Sequence, residues 1–179
     1  MNIYIDAGWY VGNALRMHMD AGTVDDTWKI YAFDPSTDIE FDKEKWPKVN
    51  FIKKAAWIHD GYVEFQLSKR ENASFIVGTS YSGAEYQKIT VPCVDFSKFV
   101  ANVAPYDKTV YIIISMDIEG SEYQVLQKML DDHSIDNVSE LDIEFHHRFM
   151  KDYDQNDSKR LVREIKKRGV RIRLKEAFQ

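Results

Sequence analysis

Two carboxylates and two glycines near the N-terminus stand where a nucleoside-type ligand needs them. Asp6 closes the short apolar run Ile3-Tyr4-Ile5, and Ala7, Gly8, Tyr10 and Gly12 follow before a helical stretch from Asn13. Glycines in a strand-to-helix turn let backbone and ligand approach where a Cβ would collide. The first turn of the helix then offers unpaired N–H groups. The spacing D-x-G-x-x-x-G lacks the middle glycine of the dinucleotide fingerprint, so a tight pyrophosphate approach is harder to build. An Asp in the loop repels phosphate and suits a cationic amino group. Asp34, followed by Pro35 and Ser36, ends a second apolar run. An acid there, roughly 20 residues past the glycine turn, accepts hydrogen bonds from ribose hydroxyls. Each Asp alone can be a turn or cap residue. Together they point to a nucleoside carrying an ammonium group and no phosphate, which describes S-adenosylmethionine.

The elements that must position these residues follow from periodicity. Apolar runs alternate with helical patterns, which predicts βαβ units and a mainly parallel sheet, an α/β, three-layer, doubly wound fold. Strands are expected near Ile3–Asp6, Ile30–Asp34, Val49–Trp57, Val110–Met116, Val138–Phe145 and Val170–Leu174. The run Val110–Ile114 is apolar almost throughout, as a central strand buried on both faces requires. Tyr123, Leu126 and Leu130 at i, i+3, i+7 mark a helix. Another helix is expected from Asp157-Ser158, burying Leu161 and Ile165 and ending at Gly169. Residues 61–91 read differently: Gly61–Leu67 alternates apolar and polar, which predicts an antiparallel insertion with loops at Asn72 and Ser80–Gly83.

At 179 residues, 44% hydrophobic and 13% aromatic, the chain suffices for one globular domain, 1–179, with a full core. Cys93 is the single cysteine, which excludes a disulfide framework and a cysteine metal knuckle. There is no secretory leader pattern and no apolar run of membrane-spanning length, so a cytoplasmic location without membrane contact is expected. Of the net charge of −5, the segment from Lys159 to Lys175 holds nine basic residues, leaving the rest strongly acidic. A basic stripe can bind nucleic acid or form a solvated helix face and a charged edge strand. The acidic remainder favours the second reading.

The block Ser115-Met116-Asp117-Ile118-Glu119-Gly120-Ser121-Glu122 ends the central run. With the opening turn, Phe33-Asp34-Pro35, and Ile143-Glu144-Phe145-His146, it resembles the FkbM family of class I S-adenosylmethionine-dependent methyltransferases. That family carries D-x-G-x-N-x-G, F-E-P, K-I-D-x-E-G-x-E and an E-F-H-like strand end in this order. The resemblance runs from about Ile3 to Phe149, and the segment Ile89–Phe99 also fits, at Asp95. Tyr10 replaces the usual Asn, Asp34 the usual Glu, and Ser115 a common Lys. The helix that often precedes the first strand is missing, so the chain resembles a minimal, N-terminally short version of this Rossmann-like fold.

The resemblance implies methyl transfer to a hydroxyl of a sugar, glycan or small metabolite. Such transfer needs alignment of acceptor oxygen, methyl carbon and sulfur, and a base for the hydroxyl proton. Asp117 at the fourth strand end and Glu144 and His146 at the fifth are the expected catalytic residues. On an extended strand Glu144 and His146 share a face, so the carboxylate can orient the imidazole. Either of Asp117 and Glu119 can instead cap the following helix. A divalent metal held by Asp117, Glu144 and His146 is an open alternative. The cofactor-binding set is Asp6, Ala7, Gly8, Tyr10, Gly12, Asp34, Pro35, Ser36, Ala56 and Trp57, with adenine against Ala56 and with Trp57 either stacked on it or buried in the core. The remaining histidines, His18, His59, His133 and His147, read as structural. Two further functions stay open: a catalytically inactive binding module on the same fold, and an RNA methyltransferase using the basic segment. The partner expected is a small hydroxylated acceptor or glycan, with homo-oligomer formation open.

Overall fold

The computed structural model describes residues 1–68, 74–76, 86–103 and 109–175. The expected loops at Asn72 and Ser80–Gly83 lie outside the described residues. The main sheet has six strands: β1 (Ile3–Ala7), β2 (Lys29–Phe33), β3 (Val49–Ile52), β8 (Ile112–Met116), β9 (Glu140–Ile143) and β10 (Arg171–Leu174). Their order is β10-β9-β8-β1-β2-β3, and every neighbouring pair is parallel. The chain winds outward from β1 to β3, then returns to β8 and winds the other way. The winding reverses between β1 and β8, and in open sheets of this kind ligands bind past the carboxyl ends of the strands at that point.

Strand alternation sorts the apolar residues onto two faces. Ile3, Ile5 and Ala7 join Ile112, Ile114 and Met116 in the larger core. Helices α2 (Phe96–Val103), α3 (Glu122–Asp131) and α4 (Gln155–Lys167) close that face through Phe96, Leu126 and Leu161. On the opposite face Tyr4, Ile30 and Ile113 pack with Leu15 of α1 (Asn13–Asp20). This is a three-layer, Rossmann-like α/β fold. Burying side chains such as Leu161 and Ile165, both 0% exposed, contributes about 1.5–3 kcal/mol each.

Two expected boundaries move. The run Val49–Trp57 is broken into β3 and a separate β4 (Ala55–Trp57), and Lys54 N–H turns back to the Ile52 carbonyl at 2.8 Å between them. β4 belongs to a second sheet of order β4-β7-β5-β6, built from β5 (Gly61–Ser68), β6 (Phe75–Ile76) and β7 (Tyr86–Asp95). There β5 and β7 pair antiparallel from Gly61↔Cys93 to Ser68↔Tyr86. Helix α4 starts before Asp157, because Asp154 is its cap: Asp154 accepts from Asn156 and Asp157 N–H, and Asp157 accepts from Asp154 N–H. This reciprocal box satisfies amides at the helix start that would otherwise lack partners.

Candidate active site

The first turn is shaped by packing as much as by any ligand. Gly8 has φ +93°, and a Cβ on it would lie 1.8 Å from the carbonyl oxygen of Asp117. Gly12 has φ +78°, and its Cβ would meet the Trp9 ring at 2.5 Å. Both glycines are required by protein atoms, so their spacing alone did not report a ligand. Asp6 is not in the loop: it lies on β1, 1% exposed, and accepts from Tyr4 OH at 3.5 Å. Burial raises its carboxyl to about 7, against the pull of Lys175.

Asp34 clasps the turn from the end of β2. Tyr10 N–H donates to its Oδ2 and Ser36 N–H to its Oδ1, each at 2.9 Å. Burial raises its pKa, and these two amides oppose the rise. Each carboxylate oxygen can accept a second hydrogen bond, so Asp34 holds the loop and keeps capacity for a hydroxyl pair. Tyr10, at φ 47° and 45% exposed, stands on the outside of the turn. Pro35 is half-buried and Ser36 buried. Ala56 packs in the main core, while Trp57 is partly buried between both sheets' cores, so the indole of Trp57 has a packing role in this fold. The Asp6 and Asp34 carboxylates and the exposed Tyr10 ring beside the switch point offer acceptors for ribose hydroxyls and an ammonium, a set that fits a nucleoside carrying an amino group.

Past β8 and β9 four carboxylates surround one histidine. His146 is 5% exposed, and its Nδ1–H donates to Glu122 Oε1 at 3.0 Å. Its Nε2 faces Glu119 Oε2 at 3.4 Å, Asp117 Oδ1 at 3.6 Å and Glu144 Oε1 at 3.8 Å. Burial alone lowers the His146 pKa, but Glu122, Glu119 and Asp117 outweigh it and bring it to about 10. His146 is therefore an imidazolium at neutral pH and not a free base. Burial raises the carboxyls of Asp117 and Glu144, with His146 opposing the rise at both.

The expected partnership on the fifth strand is corrected. Strand β9 stops at Ile143, so Glu144 and His146 do not alternate as strand residues, and the orienting carboxylate is Glu122. Glu122 is 0% exposed and also accepts from Ile118 N–H at 2.9 Å and Gly120 N–H at 2.8 Å. Neither Asp117 nor Glu119 caps α3: its cap residue is Ser121, which makes no side-chain cap hydrogen bond, while Glu122 braces the turn before the helix and Glu119, at φ 54°, turns its carboxylate to His146. Asp117 Oδ1 is buried and without a hydrogen bond, whereas the side chain as a whole is 38% exposed. Ligand atoms of Asp117, Glu122 and His146 lie within 4.8 Å of one another, close enough to share a cation. Glu122 has already committed its oxygens to two amides and the imidazole.

The other histidines are held structurally. His18 is buried against Asp142 at 2.9 Å, His59 faces the Asp60 carbonyl, and His147 Nδ1 lies 3.3 Å from Ser158 Oγ. Five of the nine basic residues of the C-terminal segment pair with acids of this chain: Arg171 and Arg173 with Glu140, Arg168 with Asp136, and Arg163 and Lys167 with Glu164. Among the described residues no helix is long and apolar enough to cross a membrane.

With this geometry in view, comparison with known protein families matches residues 6–172 to the methyltransferase FkbM domain. No curated protein and no solved structure matches.

Proposed function

The chain belongs to the methyltransferase FkbM domain family, and on that premise we propose that it uses S-adenosylmethionine to methylate a hydroxyl of a sugar, glycan or other small metabolite. When bound, the cofactor supplies an electrophilic methyl on a sulfonium. The turn Ala7–Gly12 and the Asp34 carboxylate hold the nucleoside, with the ribose hydroxyls donating to Asp34. Alignment by such contacts removes several kcal/mol of barrier.

One observation carries the hydroxyl acceptor: a partly exposed Asp117 carboxylate stands at the end of β8, backed 3.6 Å away by a buried imidazolium. Asp117 is the group that accepts the hydroxyl proton. Burial has raised it toward the working pH, which suits a general base. His146 does not abstract the proton; it offsets the charge of Glu122, Glu119 and Glu144 so that Asp117 stays usable. No membrane or nucleic-acid partner enters this reading: Lys167 of α4, Arg168 after it, and Arg171 and Arg173 of β10 pair with acids of the chain, and the rest of the chain is strongly acidic.

Calorimetry tests the cofactor. S-adenosylhomocysteine should bind and NAD should not, and Asp34→Ala should weaken binding by about 1–3 kcal/mol, the cost of leaving polar groups unpaired. Failure of S-adenosylmethionine and S-adenosylhomocysteine alike to bind the native chain would leave an inactive interaction module as the better account. Acceptor screening on hydroxylated sugars, with mass detection of a methyl gain, tests the reaction.

A further inference from the structure

The carboxyl ends of the central strands carry a charged group that no motif announces. Lys175 stands one residue past β10, and its backbone N–H donates to the Ile143 carbonyl at 2.8 Å, which fixes it against the end of β9. Its ammonium reaches across to donate to Ser115 Oγ at 2.7 Å. Ser115 is fully buried and lies in register with Asp6 on β1. An ammonium has three donors; among the described residues Nζ makes this one hydrogen bond and no ion pair. The Asp6 carboxylate likewise accepts only from Tyr4 OH and forms no ion pair among the described residues. Opposite charges with unused hydrogen-bonding capacity thus stand on one side of the switch point without touching each other.

We propose that Lys175 binds the α-carboxylate of the cofactor's amino-acid end while Asp6 receives its α-ammonium. The inference rests on the cofactor reading above. A zwitterion needs one group of each sign held apart, which a paired Asp–Lys bridge could not offer. The groups acting on Asp6 are Tyr4, Lys175, Asp117 and Asp34, and Lys175 alone among them is cationic. The motif that this chain resembles often carries Lys at the position of Ser115; here the ammonium arrives at that position from the C-terminal segment.

The test is calorimetry at pH 7.5 on the full chain with S-adenosylhomocysteine and with 5′-methylthioadenosine, the same kind of nucleoside thioether without an amino-acid end. Lys175→Met should weaken S-adenosylhomocysteine about tenfold or more, the effect of one charge-assisted bond, and leave 5′-methylthioadenosine within about twofold. Lys175→Arg should keep most of the affinity, and the S115K/K175M double variant should regain it. Wild-type chain should also prefer S-adenosylmethionine to its decarboxylated analogue by about tenfold, a measurement that needs no variant to fold. Equal weakening of both thioethers by Lys175→Met, or no preference for the carboxylate in the wild type, overturns the assignment while the cofactor reading stands. Absence of any S-adenosyl binding by the wild type overturns both.

Discussion

Gly8 and Asp117 meet at the switch point so closely that a single added methyl on Gly8 would stand 1.8 Å from the Asp117 carbonyl oxygen. The first turn and the fourth strand end are therefore one packed unit, and the position of Asp117 depends on the absence of a side chain across from it. Gly8→Ala combines this clash with an unfavourable φ of +93°. It should cost about 3 kcal/mol or more and displace Asp117. Gly22, at φ +67° with nothing within 4 Å of its Cβ position, is the control: Gly22→Ala should cost about 1 kcal/mol. Urea unfolding of the two variants measures the difference, and equal costs would remove the packing argument.

The His146 cluster gives stability a pH dependence of definite sign. Folding raises the His146 pKa from 6.5 to about 10, so the folded chain keeps a proton that the unfolded chain sheds. The stabilisation is fully present below pH 6.5 and is lost as pH rises through 10. The Tm difference between wild type and His146→Gln should therefore shrink over that window. Glu122→Gln removes the largest charge partner and weakens acceptance from two amides, and it should cost about 3 kcal/mol near neutral pH. Its His146 should titrate well below 10 by NMR. An unmoved titration would mean that Glu122 is not the dominant partner.

Asp6 shows the opposite relation between stability and function. Its folded pKa is raised from 3.8 to about 7 by burial, so ionising it penalises the folded state from pH 3.8 upward, in full above 7. Asp6→Asn should raise Tm at pH 8 by roughly 2–4 °C, equivalent to about 1 kcal/mol in a chain of this size. The gain should fade below pH 4, and affinity for S-adenosylhomocysteine should drop. A lower Tm at pH 8 would show that the ionised carboxylate is already well compensated.

The parallel sheet was legible because its strands are apolar runs separated by helical periods, and Leu161, Ile165 and Tyr123 fell on buried faces as their spacing implied. The break between Ile52 and Ala55 was not legible, since Ile52-Lys53-Lys54-Ala55 holds no glycine, proline or other turn-forming residue, yet β3 pairs with β2 and β4 with β7. At the site, Asp6, Asp34, Asp117, Glu144 and His146 were nameable from strand ends, and the structure brings the last three together. Glu122 was overlooked as the imidazole's partner although it stands in the same quoted block, because an acid in the first helical turn reads as a dipole contact. Lys175 gave no signal at all: its approach to Ser115 spans 60 residues and is created by the winding of β8, β9 and β10. The glycines misled for a related reason, since the atoms that forbid their Cβ come from Asp117 and Trp9 and not from a ligand.

The division of labour between Asp117 and His146 decides how the reaction is catalysed. If Asp117 takes the acceptor proton, Asp117→Asn should lower kcat by about 10²–10⁴-fold while S-adenosylhomocysteine affinity changes little, because its exposed side faces the acceptor. If His146 acts only as a fixed positive charge, then His146→Lys, which preserves charge without an imidazole, should retain more activity than His146→Gln. The kcat profile of the wild type should rise with pH as Asp117 ionises and should show no limb near 6.5, the value of an unperturbed histidine. A base of pKa near 6.5 in that profile, abolished by His146→Lys, would move the proton transfer to the imidazole and make Asp117 its orienting partner.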